Sequence, residues 1–256
     1  MTRPLLLVSL CAFAAPVCAQ PNTLTVSAAA SLKDVMAQLG SDFSRTNPNA
    51  EIRFNFGSSA TLRAQIEAGA PVDLFVSADD RNMNALAKAN LIEPATRRVL
   101  ASNRLVLIAP LEYADGHRKS PLDLRSFRDL AAPRIARVAI GAPSVPAGAR
   151  AREVFARLGV LAAVEAKAVR GKDVREVLAQ VEAGNVDAGV VYLTDALSTK
   201  RVRVVAVAPS SFHAPIRYPA AVVAGGRNRA LAARFLAFLG SQTARRRFKA
   251  AGFGAP

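Results

Sequence analysis

Groups able to take up or release a proton near neutral pH are scarce in this sequence, in which His117 and His213 are the only histidines. Each sits in a polar stretch rich in Pro or Gly. Neither belongs to a metal-binding histidine pair, a nucleophile elbow or a Gly-rich phosphate loop, so both read as surface residues. The acidic pair Asp79-Asp80 follows a strand-like run and precedes the helical stretch 83–91. Helix capping accounts for it. Acid–base, nucleophilic and metal catalysis therefore have no constellation to work with; no catalytic residue is assigned and no cofactor is expected.

A different chemistry recurs along the chain. Four times an apolar strand-like run ends, small or hydroxyl residues follow, and a helix begins: Ala28-Ala29-Ala30-Ser31-Leu32, Phe56-Gly57-Ser58-Ser59-Ala60-Thr61-Leu62, Gly141-Ala142-Pro143-Ser144-Val145-Pro146-Ala147-Gly148 and Arg170-Gly171-Lys172-Asp173-Val174. Ser31 is expected to cap the helix that Leu32 opens, Pro146 suits a first helical turn, and Asp173 is a cap with Val174 just inside the turn. The first amides of a helix lack intrahelical partners, and the helix dipole puts partial positive charge there. Several such ends converging on one cleft would hold an anion without any Lys or Arg. Any one junction is ordinary helix capping; only their convergence would make a site.

The elements that must position these junctions alternate along the chain. Strands are expected over 24–29, 51–56, 72–77, 104–109, 137–140, 189–192, 202–206 and 220–223, with helices between them. That is the pattern of an α/β fold with largely parallel sheets. Helical periodicity is plain in Leu32, Val35, Met36, Leu39 and Phe43, in Val174, Val177, Leu178 and Val181, and in Leu231, Phe235, Phe238 and Leu239. These stripes are core. The stretch 112–121, with Asp115-Gly116-His117, reads as a surface excursion.

At 256 residues the chain could be one large α/β domain or two lobes. It opens with Met1-Thr2-Arg3-Pro4, an apolar run over 5–15 and Pro16-Val17-Cys18-Ala19 before Gln20. A basic start, an apolar stretch too short to span a bilayer and a small-residue cleavage site predict a signal peptide over 1–19, and hence a periplasmic protein. Both cysteines, Cys11 and Cys18, fall inside it, and neither follows the Leu-small-small pattern of a lipoprotein attachment site. The mature chain would carry no thiol and no disulfide. A formal charge of +15 raises nucleic acid as a partner, but the basic residues are scattered and no zinc-finger spacing or RNA-binding aromatic signature accompanies them. No nucleic-acid partner is expected; the charge reads as a solvated basic surface that steers small anions at most.

At the same junctions the sequence resembles the periplasmic molybdate-binding proteins of ABC importers, from about Leu24 to Phe253. The most specific stretch runs from Phe56-Gly57-Ser58-Ser59-Ala60-Thr61-Leu62 to Asp73-Leu74-Phe75-Val76-Ser77-Ala78, supported by Ala28-Ala29-Ala30-Ser31-Leu32, Val145-Pro146-Ala147-Gly148, Asp173-Val174-Arg175, Gly189-Val190-Val191-Tyr192 and Ala251-Gly252-Phe253. The resemblance implies a two-lobed periplasmic binding protein fold, each lobe a mostly parallel sheet flanked by helices, with the ligand cleft between. Lobe one would hold 22–102 and 210–256, and lobe two 103–209. It implies a monomer that carries molybdate, with tungstate as a second ligand, to the permease and ATPase subunits of an importer. Ser31 and Ser59 would offer hydroxyls and amides, Ala147 and Val174 amides, and Tyr192 its phenol. Molybdenum would be held as the oxyanion, with no direct metal ligand. All five donors are neutral. A dianion with only acceptor oxygens suits them, a protonated phosphate does not, and rejection of sulfate must rest on cavity size. A binding protein for sulfate or another tetrahedral oxyanion is the alternative, ahead of an enzyme or a nucleic-acid-binding protein.

Overall fold

The computed structural model describes residues 22–112 and 123–256. The expected signal peptide, both cysteines, His117 and nearly all of the 112–121 excursion lie outside the described residues.

Ten strands form two five-stranded sheets of matching design. The first has the order β2-β1-β3-β10-β4, from β1 (Asn22–Ala29), β2 (Ala50–Gly57), β3 (Leu74–Val76), β4 (Arg98–Ser102) and β10 (Arg217–Val222). The second has the order β7-β6-β8-β5-β9, from β5 (Leu105–Pro110), β6 (Val138–Gly141), β7 (Ala168–Gly171), β8 (Ala188–Tyr192) and β9 (Val202–Val207). In each sheet four strands run the same way and the fourth in order, β10 or β5, opposes them. The chain crosses between the sheets after Ser102 and again between Val207 and Arg217, so the molecule is two α/β lobes joined by two crossings.

The helices are α1 (Lys33–Thr46), α2 (Ser59–Glu67), α3 (Asp80–Lys88), α4 (Pro146–Leu158), α5 (Leu161–Glu165), α6 (Val174–Glu182), α7 (Leu193–Leu197), α8 (Arg229–Leu239) and α9 (Gln242–Ala250). No described helix is long and apolar enough to cross a membrane. The stripes expected to be core are core: Leu32, Val35, Met36, Leu39 and Phe43 are buried, as are Val174, Val177, Leu178 and Val181. Each such side chain contributes about 1.5–3 kcal/mol by leaving water. Phe238 differs in being only partly buried. It stacks on Phe235, at 6.2 Å between ring centroids, over the edge of Phe43.

Two strand expectations need correction, and two strands went unpredicted. The strand expected over 72–77 is shorter, Leu74–Val76, because Val72 and Asp73 belong to the turn leading in. The one expected over 220–223 starts earlier, at Arg217, and its register shifts at Pro219, which has no N–H to give the ladder. β4 and β7 were not foreseen at all. Both are edge strands, half solvated, with mixed residues such as Arg98 and Arg170 instead of an apolar run.

Candidate functional site

Strands of both lobes end, at their carboxyl ends, around one small cleft cavity. Lobe one lines it with the 3-10 turn Ala30–Leu32 after β1, the Gly57-Ser58-Ser59 junction after β2, and Ala78 beyond β3. Lobe two lines it with Val145-Pro146-Ala147 at the start of α4, Asp173-Val174 at the start of α6, and Tyr192 at the end of β8. Ser31, Ser59, Ala147, Val174 and Tyr192, scattered over 161 sequence positions, thus meet at one place. Each is less than 5 % exposed.

About 220 Å³ lies between the lining atoms. Only about 10 Å³ is open to the centre of a water molecule, the equivalent of a spherical hole about 2.7 Å in radius. That is room for an ion of a few atoms and not for a sugar phosphate or a nucleotide. No Lys or Arg lines the cavity. Positive potential comes from helix starts. α2 begins at Ser59, with Ser58 capping it by accepting from the Thr61 amide at 3.2 Å. α4 begins with Pro146 and has no side-chain cap, which leaves the Ala147 amide directed at the cavity end. Gly148 lets that end approach β6: a Cβ there would lie 2.2 Å from the Gly141 carbonyl oxygen. α6 is capped by Asp173, whose Oδ1 accepts from the amides of Arg175 (2.8 Å) and Glu176 (3.0 Å) and so is turned along its own helix, leaving the Val174 amide as the first of the turn.

The hydroxyls are arranged as donors. Ser59 Oγ accepts from the Ala78 amide at 2.8 Å, which occupies one of its two lone pairs and leaves its proton free to donate. Tyr192 Oη is fully buried and has no hydrogen-bond partner among the described residues. Burial holds its phenol well above the ordinary tyrosine range, so it stays protonated. Ser31 departs from expectation: it caps no helix, since the turn it sits in has no side-chain cap and α1 starts beyond it. Its Oγ lies 2.9 Å from Tyr218 Oη instead. Asp79 is a cap, as expected, accepting from the Asn82 amide at 2.9 Å, and Asp80 pairs with Arg97 at 2.6 Å. His213 sits away from the cavity with Nδ1 near its neighbour's carbonyl, that of Ala214. Among the described residues no cluster of three or more His, Cys, Asp or Glu side chains could hold a metal ion.

Two contacts close the cleft around this cavity. Arg175 of α6 reaches Asp34 of α1 at 2.6 Å, and Arg81 of α3 reaches the Ser144 carbonyl at 3.3 Å. Arg175 Nε also lies 2.9 Å from Asp195 Oδ1, a charge contact whose N–H is not aligned for a hydrogen bond. Asp195 is wholly buried, and burial pushes its carboxyl up to about 7 against the pull of Arg175. Sequence reasoning missed Tyr218, Asn103, Arg175 and Asp195, because nothing in their local spacing marks them; each matters through a partner remote in sequence.

Residues 24–254 match the family model described as bacterial extracellular solute-binding protein. The molybdate-binding protein ModA of Haemophilus influenzae is 39 % identical over 233 residues, covering 91 % of this chain and 90 % of that protein. The Escherichia coli protein of the same name is 38 % identical over 237 residues, covering 92 % and 90 %. Among solved structures, the Azotobacter vinelandii periplasmic molybdate-binding protein superposes with a TM-score of 0.79 at 26 % identity, covering 91 % of this chain and 99 % of that one.

Proposed function

The chain belongs to the family of bacterial extracellular solute-binding proteins, and from that premise we propose that it captures molybdate and hands it to an ABC-type importer, as a binding protein without catalytic activity. Tungstate, with the same charge and shape, is its second ligand. The periplasm is its compartment, reached by way of a signal peptide over 1–19. It acts as a monomer on the permease and ATPase subunits of the importer, with one lobe made of 22–102 and 210–256 and the other of 103–209.

The observation that carries this reading is the donor set. Two serine hydroxyls, a tyrosine hydroxyl without a partner, and amides from the starts of α2, α4 and α6 surround a hole fit for one small ion. Each such bond to a charged ligand is worth about 1.5–3 kcal/mol, and the burial of the set keeps water from competing. Ser31 and Ser59 come from one lobe, Ala147, Val174 and Tyr192 from the other, so the anion stabilises the closed state by contacts that the open state cannot make.

A thermal-shift series tests it. Molybdate and tungstate at a hundred times their dissociation constants contribute about 2.7 kcal/mol and should raise the melting temperature by about 5–10 °C. Sulfate and phosphate at equal concentration should not. An equal shift with sulfate would move the assignment to the sulfate alternative, and no shift with any oxyanion would end it.

A further inference from the structure

Ser31 is held from behind by residues that do not touch the cavity. Asn103, at the crossing between β4 and β5, accepts the Arg104 amide on Oδ1 at 2.8 Å. That bond settles the orientation of its side-chain amide, so Nδ2 is the atom facing the other way. Nδ2 donates to Thr194 Oγ1 at 2.9 Å and to Tyr218 Oη at 3.0 Å. Tyr218 is fully buried in β10, and burial keeps its phenol protonated, far above the ordinary range. Its oxygen is taken by Asn103, so its proton has one acceptor within reach, Ser31 Oγ at 2.9 Å. Were Ser31 the donor instead, the Tyr218 proton would be buried without an acceptor, the costlier arrangement. Ser31 Oγ therefore accepts, and its own proton is left for the cavity that Ser31 lines.

We propose that Asn103 and Tyr218 are positioning residues that fix the Ser31 hydroxyl as a donor toward the bound oxyanion. This rests on the assignment of Ser31 to the anion site. A serine hydroxyl without such a partner can turn its proton to any acceptor around it; with Tyr218 donating to its oxygen, the Ser31 proton is turned away from Tyr218 and toward the cavity. The Ala78 amide does the same for Ser59, so both side-chain hydroxyls of lobe one are committed in the same direction. The relay also reaches Thr194 in lobe two, which places it at the chain crossing between the two sheets.

The experiment is a double-mutant cycle read by calorimetry, with molybdate as the ligand. Tyr218→Phe should weaken molybdate about 5- to 10-fold, since the Ser31 proton is then free to turn away from the cavity. In the Ser31→Ala background the same change should add less than about twofold, because the hydroxyl it serves is gone. Independent, multiplying losses, or an unchanged affinity in Tyr218→Phe, would overturn the relay while leaving the site intact. Unchanged molybdate affinity in Ser31→Ala would overturn the site assignment and the relay with it. Should Tyr218→Phe fold poorly, Asn103→Ala at a half-buried position removes the donor behind Tyr218 and frees the phenol to turn from Ser31; the same weakening is expected, and its absence counts equally against the relay.

Discussion

Tyr192 Oη is buried and has no hydrogen-bond partner among the described residues, a state that costs a buried hydroxyl about 1–3 kcal/mol. A bound oxyanion would satisfy it, which makes the residue a liability in the empty protein and an asset in the loaded one. Tyr192→Phe should accordingly leave the ligand-free melting temperature unchanged or slightly higher. Ser59→Ala should lower it modestly, because the Ala78 amide loses its acceptor. Combined, the two should weaken molybdate at least 100-fold by calorimetry, as each removes a bond to a charged ligand. Unchanged affinity in a folded double variant would remove both residues from the site. Of the residues around the cavity, those defined by a strand-to-helix junction were legible in the sequence. The function of Ser31 was not: its hydroxyl answers to Tyr218, 187 positions away, and not to a helix end.

At the scale of elements, the cavity is made by where helices start. The α4 end shows how tightly this is set, since the Gly148 position faces the carbonyl oxygens of Gly141 and Ala142 with no space for a methyl group. Gly148→Ala must push α4 away from β6 and carry the Ala147 amide with it. Expected is a loss of about 1–3 kcal/mol in stability together with a loss of molybdate affinity, seen by denaturant titration and calorimetry; wild-type values for both would show that the helix end has more freedom than the geometry allows. Apolar periodicity revealed the helices because one face of each is buried. It missed β4 and β7 because an edge strand shares its backbone with one neighbour only and tolerates charged residues that erase the pattern.

Among the described residues, the lobes are linked across the cleft by the Arg175–Asp34 ion pair and the Arg81–Ser144 hydrogen bond. Asp34 is 54 % exposed, so the pair is worth less than about 1 kcal/mol. Closure must therefore depend mainly on what occupies the cavity, as a carrier that releases its cargo requires. Arg175→Ala should weaken molybdate only about 2- to 5-fold, with the deficit shrinking at high salt. It should also shift the ligand-free protein toward a larger radius of gyration in solution scattering. A hundredfold loss would mean that the latch, and not the anion, holds the lobes together.

By itself the amino-acid sequence determined the α/β class, the buried stripes of the helices and the strand-to-helix junctions from which anion donors could come, because these follow from local periodicity and from the chemistry of helix ends. The resemblance carried by those junctions supplied the two-lobed arrangement and the five donors. Only the tertiary structure decided that junctions from both lobes face a single hole, that its size admits one small ion, and that Ser31 and Ser59 each share a hydrogen bond with a residue outside its own junction. Those properties depend on which residues far apart in the chain pack together, and no local pattern encodes that.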